Sequence, residues 1–301
     1  MDSSPMPLDV VLVSHNQERF IERAVDSILC QKGAFQIRII VADDDSTDST
    51  MSILRRYAEQ HPEIAFIFLP QTSRLGVTKN YLRAFQACNS EFVAVLEGDD
   101  YWHSSRKLAL QVGFLREHPE CVMCGCNYYI LDEARHTFEL RVHEIEGHSV
   151  HDVSMTIREN VVGNFSTSIY RREILNRLPR ELFDLVAYDW AINICVGIHG
   201  HLGLLHEPLS VYRVHDRGAW NRLSVVEKLE EQLALIPQYD RLTNLRFHDA
   251  FEDRSRRLRR NLSANMALGL LDEWCPPFAA SLLRRILPPA ILRGARNLLV
   301  R

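Results

Sequence analysis

The chain has 301 residues, 46% of them hydrophobic and 25% charged, and a formal net charge of −4. These are the proportions of an ordinary globular protein, long enough to bury a sizeable core as one large domain or two smaller ones. The overall charge offers no reason to expect a nucleic-acid partner, although the last stretch is locally basic.

The first eight residues (MDSSPMPL) lack the basic start of a signal peptide, and the apolar run at 10–13 is too short for its hydrophobic region. No window approaches the ~20 apolar residues of a membrane span. The expectation is a cytoplasmic protein whose seven cysteines are reduced thiols rather than a disulfide framework.

Residues 9–14 (DVVLVS) form a continuous apolar run, the pattern of a strand buried on both faces. A helix is expected over 17–31, where Phe20, Ile21, Ala24, Val25, Ile28 and Leu29 fall at helical spacing. Residues 36–42 (QIRIIVA) read as the next strand and run into Asp43, Asp44 and Asp45. Ser46, Thr47, Asp48 and Ser49 offer N-caps for a helix that buries Ile53, Leu54 and Tyr57. A third strand is expected at 64–69, a third helix at 76–87 with Tyr81, Leu82 and Phe85 inward, and a fourth strand at 92–96 that ends in Glu97-Gly98-Asp99-Asp100. This alternation predicts a mostly parallel sheet with helices on both faces. Ligands bind such sheets beyond the carboxyl ends of the strands, where the clusters at 14–16, 43–45 and 97–100 all fall.

Farther on, Leu108, Leu110, Gln111, Phe114 and Leu115 suggest a helix, followed by a strand over 121–129. Residues 132–160 read as loop or irregular strands, 164–170 (NFSTSIY) as a strand, 187–197 as a helix start, 202–212 as containing a strand, and everything from about 221 as helix. Cys121, Cys124 and Cys126 invite a zinc reading. No second ligand pair stands at a common spacing, and the run reads better as buried strand in which thiols act as small hydrophobes.

Asp99-Asp100 is the strongest local feature. Adjacent carboxylates after a buried strand suit a hard divalent cation such as Mg²⁺ or Mn²⁺, and they repel one another without one. The alternative is an exposed turn. A carboxylate of the 43–45 run could accept from a nucleobase or ribose hydroxyl, while Asp45 and Ser46 form the turn and cap.

Taken in order, residues 9–31, 39–50 (IIVADDDSTDST), 75–80 (LGVTKN), 92–102 (FVAVLEGDDYW), 164–175 (NFSTSIYRREIL), 188–190 (YDW) and 212–215 (YRVH) resemble family 2 glycosyltransferases. The resemblance implies a GT-A fold over residues 1–220, with 221–301 as a helical extension, and inverting sugar transfer from a UDP-, dTDP- or GDP-linked donor to a glycan or lipid-linked acceptor. It places Asp44, Val13 and His15 at the nucleobase, Lys79 at the diphosphate or base, Asp99 at the ribose or metal, and Asp100 on Mg²⁺ or Mn²⁺. His215 would face the diphosphate or ligate the metal. Asp189 would be the general base, the alternative being an N-cap. The chain departs from the pattern at Asp45 (glycine), Lys79 (arginine), His15 (an aromatic) and Tyr188 (an acid). Arg213 and Arg217 could meet phosphate or stay solvated. Residues 281–301 hold five arginines and no acid, and they suit either an anionic membrane surface or packing on the catalytic domain. Two other readings are a nucleotidyltransferase, for which residues 14–19 (SHNQER) lack a glycine-rich phosphate loop, and an inactive nucleotide- or glycan-binding module.

Overall fold

A computed structural model describes residues 5–70, 73–185, 188–216, 218 and 223–274. It divides into two compact units, one ending at Arg213 and one beginning at Val214. The first unit opens with β1 (Met6–Ser14), α1 (Ile21–Leu29), β2 (Phe35–Asp43), α2 (Thr50–Gln60), β3 (Ala65–Phe68), α3 (Val77–Ala87) and β4 (Phe92–Glu97). These strands lie in the order β3-β2-β1-β4, all parallel. Leu8, Val10, Val11, Leu12 and all of residues 92–96 have no exposed surface, which is why β1 and β4 read as unbroken apolar runs. The helices expected between the strands form, and α1 buries Ile21, Ala24, Val25 and Ile28. Leu54 is the buried apolar residue of α2, with Ile53 and Tyr57 half-buried. In α3 Leu82 is half-buried, and Ala84 joins Tyr81 and Phe85 inside.

Beyond β4 the pairing turns antiparallel. After β5 (Tyr101–Trp102) come α4 (Lys107–Glu117), β6 (Cys121–Asp132), β7 (Thr137–Leu140), β8 (His148–His151), α5 (Val153–Arg158), β9 (Ile169–Arg171), α6 (Arg172–Leu175), α7 (Asp189–Gly197) and β10 (His201–Val214). The order runs on as β4-β9-β6-β10-β5, with β7 beside β6 and β8 beside β10. β9 is antiparallel to both β4 and β6, and β10 to both β5 and β8.

Where the sequence reads as a strand over 164–170, the structure places a 3₁₀ turn at Phe165–Thr167 before β9. Partners far along the chain take its groups. The Phe165 ring stacks on Tyr81 at 4.1 Å. The Trp102 indole N–H donates to the Ser166 carbonyl (2.9 Å), and the Gln111 amide to that of Thr167 (2.9 Å). Local strand preference loses to these contacts. Gly125 lets β6 pass close to the segment before this turn, since a Cβ there would lie 2.1 Å from the Val162 carbonyl oxygen. Cys121, Cys124 and Cys126 are buried in β6, where burial pushes the thiols of Cys121 and Cys126 up to about 11.

The second unit contains α8 (Val225–Leu242), opened by a Ser224–Glu227 capping box, and α9 (His248–Trp274), which packs along it. Among the described residues no helix is long and apolar enough to cross a membrane. Residues 281–301 and Arg217 lie outside the described residues.

Candidate active site

The register of the parallel strands builds one rim. Ser14 stands beside Asp43, and Val13 beside Glu97. On the β1–β2 side, Asp43 accepts from the Ser14 hydroxyl (2.8 Å), the Ser46 amide (2.8 Å) and the Ser46 hydroxyl (2.5 Å). These bonds hold the turn after β2. Asp45 follows at φ +64°, in the left-handed region, which explains why the resembled pattern carries glycine there. Asp44 is 5% exposed, and its two oxygens accept from the amides of Leu75 (2.7 Å) and Gly76 (3.0 Å). Each oxygen keeps further acceptor capacity. His15 Nδ1 lies 2.8 Å from the Asp44 carbonyl, so Val13, His15 and Asp44 come together at this edge. Lys79 is exposed on the first turn of α3, and its neighbour Asn80 is the buried anchor, donating to the Ala42 carbonyl at 2.7 Å.

On the β4 side the carboxylates are less well compensated. Glu97 accepts from the buried Tyr81 hydroxyl at 3.0 Å. Burial and the charges of Asp99, Asp100 and Asp189 hold its carboxyl well above the usual range. Asp100 is 1% exposed. Its Oδ1 accepts from the Arg213 amide at 2.8 Å, while its Oδ2 is buried with no hydrogen-bond partner. Burial, then repulsion from Asp99, raises its pKa as well, against the opposing pull of the Ser166 hydroxyl and of Arg213. Arg213 is neither solvated nor aimed outward. Its Nε donates to the Asp99 carbonyl (2.8 Å), its guanidinium pairs with Glu133 and lies over Phe20 at 4.7 Å, and the residue thereby braces the Asp99-Asp100 turn.

Asp189 is the first residue of α7, with Tyr188 at the N-cap. Its Oδ1 accepts from the Trp190 amide (2.8 Å) and its Oδ2 from the Asn160 side chain (3.2 Å). Burial pushes its pKa up to about 6, against the pull of those two bonds. Its charge is felt at Glu97 and Tyr170, so it belongs to the same acidic neighbourhood. His215 is buried one residue past β10, in the second unit.

Among the described residues no three His, Cys, Asp or Glu side chains form a complete metal cage. The donors fit a divalent ion nonetheless. A buried, unpartnered Asp100 oxygen amid repelling carboxylates suits a hard cation whose other positions are filled by diphosphate oxygens and water. An open pocket of 430 Å³ lined by His103, Ser104, Ser105, Tyr129, Glu207 and Pro208 shares no residue with this cluster. Nothing in the sequence alone gives Glu97, Ser166, Arg141 or Asn160 a role. For Glu97 the signal was its place beside Asp99 and Asp100. The others are joined to the site only by contacts distant along the chain.

The model of the family described as "Glycosyl transferase family 2" matches residues 9–179. An uncharacterized protein of Mycobacterium tuberculosis is 30% identical over 216 residues, which are 71% of this chain and 60% of that protein. The chain therefore spans less than two thirds of the length of its mycobacterial relatives. Among solved structures, the mannosyltransferase PcManGT from Pyrobaculum calidifontis, in complex with GDP-Man and Mn²⁺, superposes with TM-score 0.65 at 19% identity, over 97% of this chain and 85% of that one. TarS from S. aureus in complex with UDP gives TM-score 0.60 at 18% identity, over 86% and 72%. The fold is thus GT-A, with the parallel strands and helices at its heart.

Proposed function

The chain belongs to glycosyl transferase family 2, and on that premise we propose that it transfers a sugar, with inversion, from a nucleoside diphosphate to a hydroxyl of a glycan or lipid-linked acceptor. One observation carries this reading: Glu97, Asp100 and Asp189 are buried carboxyls in one acidic neighbourhood with Asp99, and burial holds the pKa of each of the three above its ordinary value. The bound nucleotides of PcManGT and TarS support the donor class.

Asp44, Val13 and His15 take the nucleobase, Lys79 the base or diphosphate, and Asp99 the ribose or metal. Asp100 holds Mg²⁺ or Mn²⁺, with His215 at the diphosphate or on the metal. When bound, the ion supplies positive charge against the leaving diphosphate. Asp189 takes the proton of the acceptor hydroxyl. The acceptor oxygen bonds to the anomeric carbon as the carbon–diphosphate oxygen bond breaks, and the diphosphate leaves with that electron pair. A pKa of about 6 leaves Asp189 ionised at neutral pH and more basic than an ordinary aspartate. The basic segment 281–301 would meet the membrane surface that carries a lipid-linked acceptor.

Thermal-shift measurements with UDP, dTDP and GDP, with and without Mn²⁺, test the donor site. One nucleotide with Mn²⁺ raises the Tm of the wild type and not of Asp100→Ala. Turnover of the matching nucleotide sugar is lost in Asp189→Asn. Mn²⁺-dependent nucleotide binding with no turnover of any donor would instead identify an inactive binding module, consistent with Tyr188 replacing an acid.

A further inference from the structure

The segment between β6 and α7 contains a device that the donor site does not explain. Arg141 follows directly on β7, and its amide donates to the Tyr128 carbonyl at 3.0 Å. Its guanidinium lies over the Tyr128 ring at 5.1 Å. From there Nη1 donates to the Val161 carbonyl (3.1 Å) and Nη2 to the Asn160 carbonyl (2.6 Å). Two successive peptide groups are thus gripped by one planar fork, a geometry that lysine lacks. The Asn127 side chain fixes the other side of Arg141 by donating to the Val142 carbonyl at 2.8 Å.

The gripped segment delivers one group to the site, the Asn160 side-chain amide, which donates to Asp189 Oδ2 at 3.2 Å. Asn160 gains little else by this pose, because its Oδ1 is buried without a partner. Leaving a buried acceptor unpaired costs about 1–3 kcal/mol, so the orientation is explained by its donor end. The opposite amide orientation would set that oxygen against a carboxylate oxygen. Asp189 Oδ1 is held independently by the Trp190 amide, and Trp190 is anchored through its indole N–H to the Thr156 carbonyl at 2.7 Å.

We propose that Arg141 and Asn160 are positioning residues for Asp189: Arg141 clamps the 160–161 backbone so that Asn160 presents its amide to Asp189 Oδ2 and fixes the carboxylate that receives the acceptor proton. The inference rests on the reading of Asp189 as the base. The titratable and charged groups that act on Asp189 or feel its charge are Arg141 beyond β7, Glu97 at the end of β4 and Tyr170 on β9. Arg141 and the Asn160 amide both favour the ionised form, and burial opposes them. Arg141 therefore contributes twice, by its charge and by its hold on Asn160.

The test is the titration of Asp189 in the full chain, followed by NMR of protein labelled with carbon-13 at the aspartate carboxyl carbons. The signal is assigned by its loss in Asp189→Asn. The wild-type midpoint is expected at about 6. In Asn160→Ala and Arg141→Met it moves up by about one pH unit, equivalent to a roughly tenfold loss of the ionised fraction at acidic pH. Arg141→Lys, which keeps the charge but not the fork, falls between. A residue with a merely structural role would lower the Tm and leave this midpoint in place. Asn160→Ser offers a smaller lesion should Asn160→Ala not fold. An unmoved midpoint in folded variants overturns the inference and leaves the proposed base untouched. Full donor turnover by Asp189→Asn overturns the base assignment, and this inference with it.

Discussion

The two ends of the parallel strands treat buried carboxylates in opposite ways. At the entry end, Asp9 has no exposed surface, yet its Oδ1 accepts from Arg38 (2.8 Å) and its Oδ2 from the amides of Asn89 (2.7 Å) and Ser90 (2.8 Å). Burial pulls its pKa upward, but the bonds from Arg38, Ser90 and Asn89 outweigh it and hold the carboxyl below the usual range. At the exit end, Asp100 is almost as buried, keeps one oxygen unpaired, and is pushed the other way. Burial is common to both ends, so burial does not mark a site. The mark is a charge that the fold buries and does not fully compensate, which leaves an attraction for something brought from outside.

The largest expected effect falls on catalysis at the exit end. Asp189→Asn lowers turnover by roughly 10²–10⁴-fold, the usual range for a general base, with nucleotide binding retained in the thermal-shift assay. The wild-type rate should rise with pH through about 6 as Asp189 ionises. Stability moves in the opposite direction. Because the folded pKa is raised above 3.8, the folded state holds this proton more tightly than the unfolded chain. The contribution favours folding below pH 3.8 and is lost as pH climbs to about 6. The Tm advantage of Asp189→Asn over wild type therefore grows across that window and is flat above it.

Next comes a pair of opposite signs. Asp9→Ala strips three donors of their acceptor and should cost about 3 kcal/mol, read by urea unfolding. Metal-free Asp100→Asn removes an under-compensated charge and should raise the Tm. Loss of stability at both positions would erase the distinction between the two ends. Gly125→Ala sharpens it by another route. Its new methyl meets the Val162 carbonyl at 2.1 Å, so the segment leading to the 165–167 turn must shift, at about 1–3 kcal/mol. The smallest effect belongs to the turn after Asp44. Asp45→Gly should leave stability within about 1 kcal/mol of wild type, whereas Asp45→Val, forced to φ +64°, costs about 1–2 kcal/mol.

The same contrast runs through what the sequence discloses. The parallel half is legible because its order is local. Apolar runs at β1, β2 and β4, each followed by a polar cluster, are enough by themselves to place Asp44, Asp99 and Asp100 on one rim. Asp189 stands at the start of the helix that the sequence places over 187–197, and only the resemblance to the family pattern sets it apart from an N-cap. The antiparallel half resists reading because its order is long-range. Ser166 is turned by Trp102, 64 positions away, and Arg213 braces Asp99 from 114 positions away, and neither leaves any periodic trace. Arg141 and Asn160 sit in a stretch whose polar composition looks like loop, and only the fold shows that the loop is gripped.

The bond from Asp44 to the amides of Leu75 and Gly76 ties the rim to a segment 31 and 32 positions away that precedes α3. Those two amide protons precede the first residue of a helix and have this carboxylate as their acceptor. Their exchange with deuterated solvent is thus a local clock set by Asp44. A nucleobase that shares the carboxylate must leave that clock running slowly. A nucleobase that takes the carboxylate for itself must release both amides, and the clock would run fast at two adjacent residues while the rest of the sheet keeps its time.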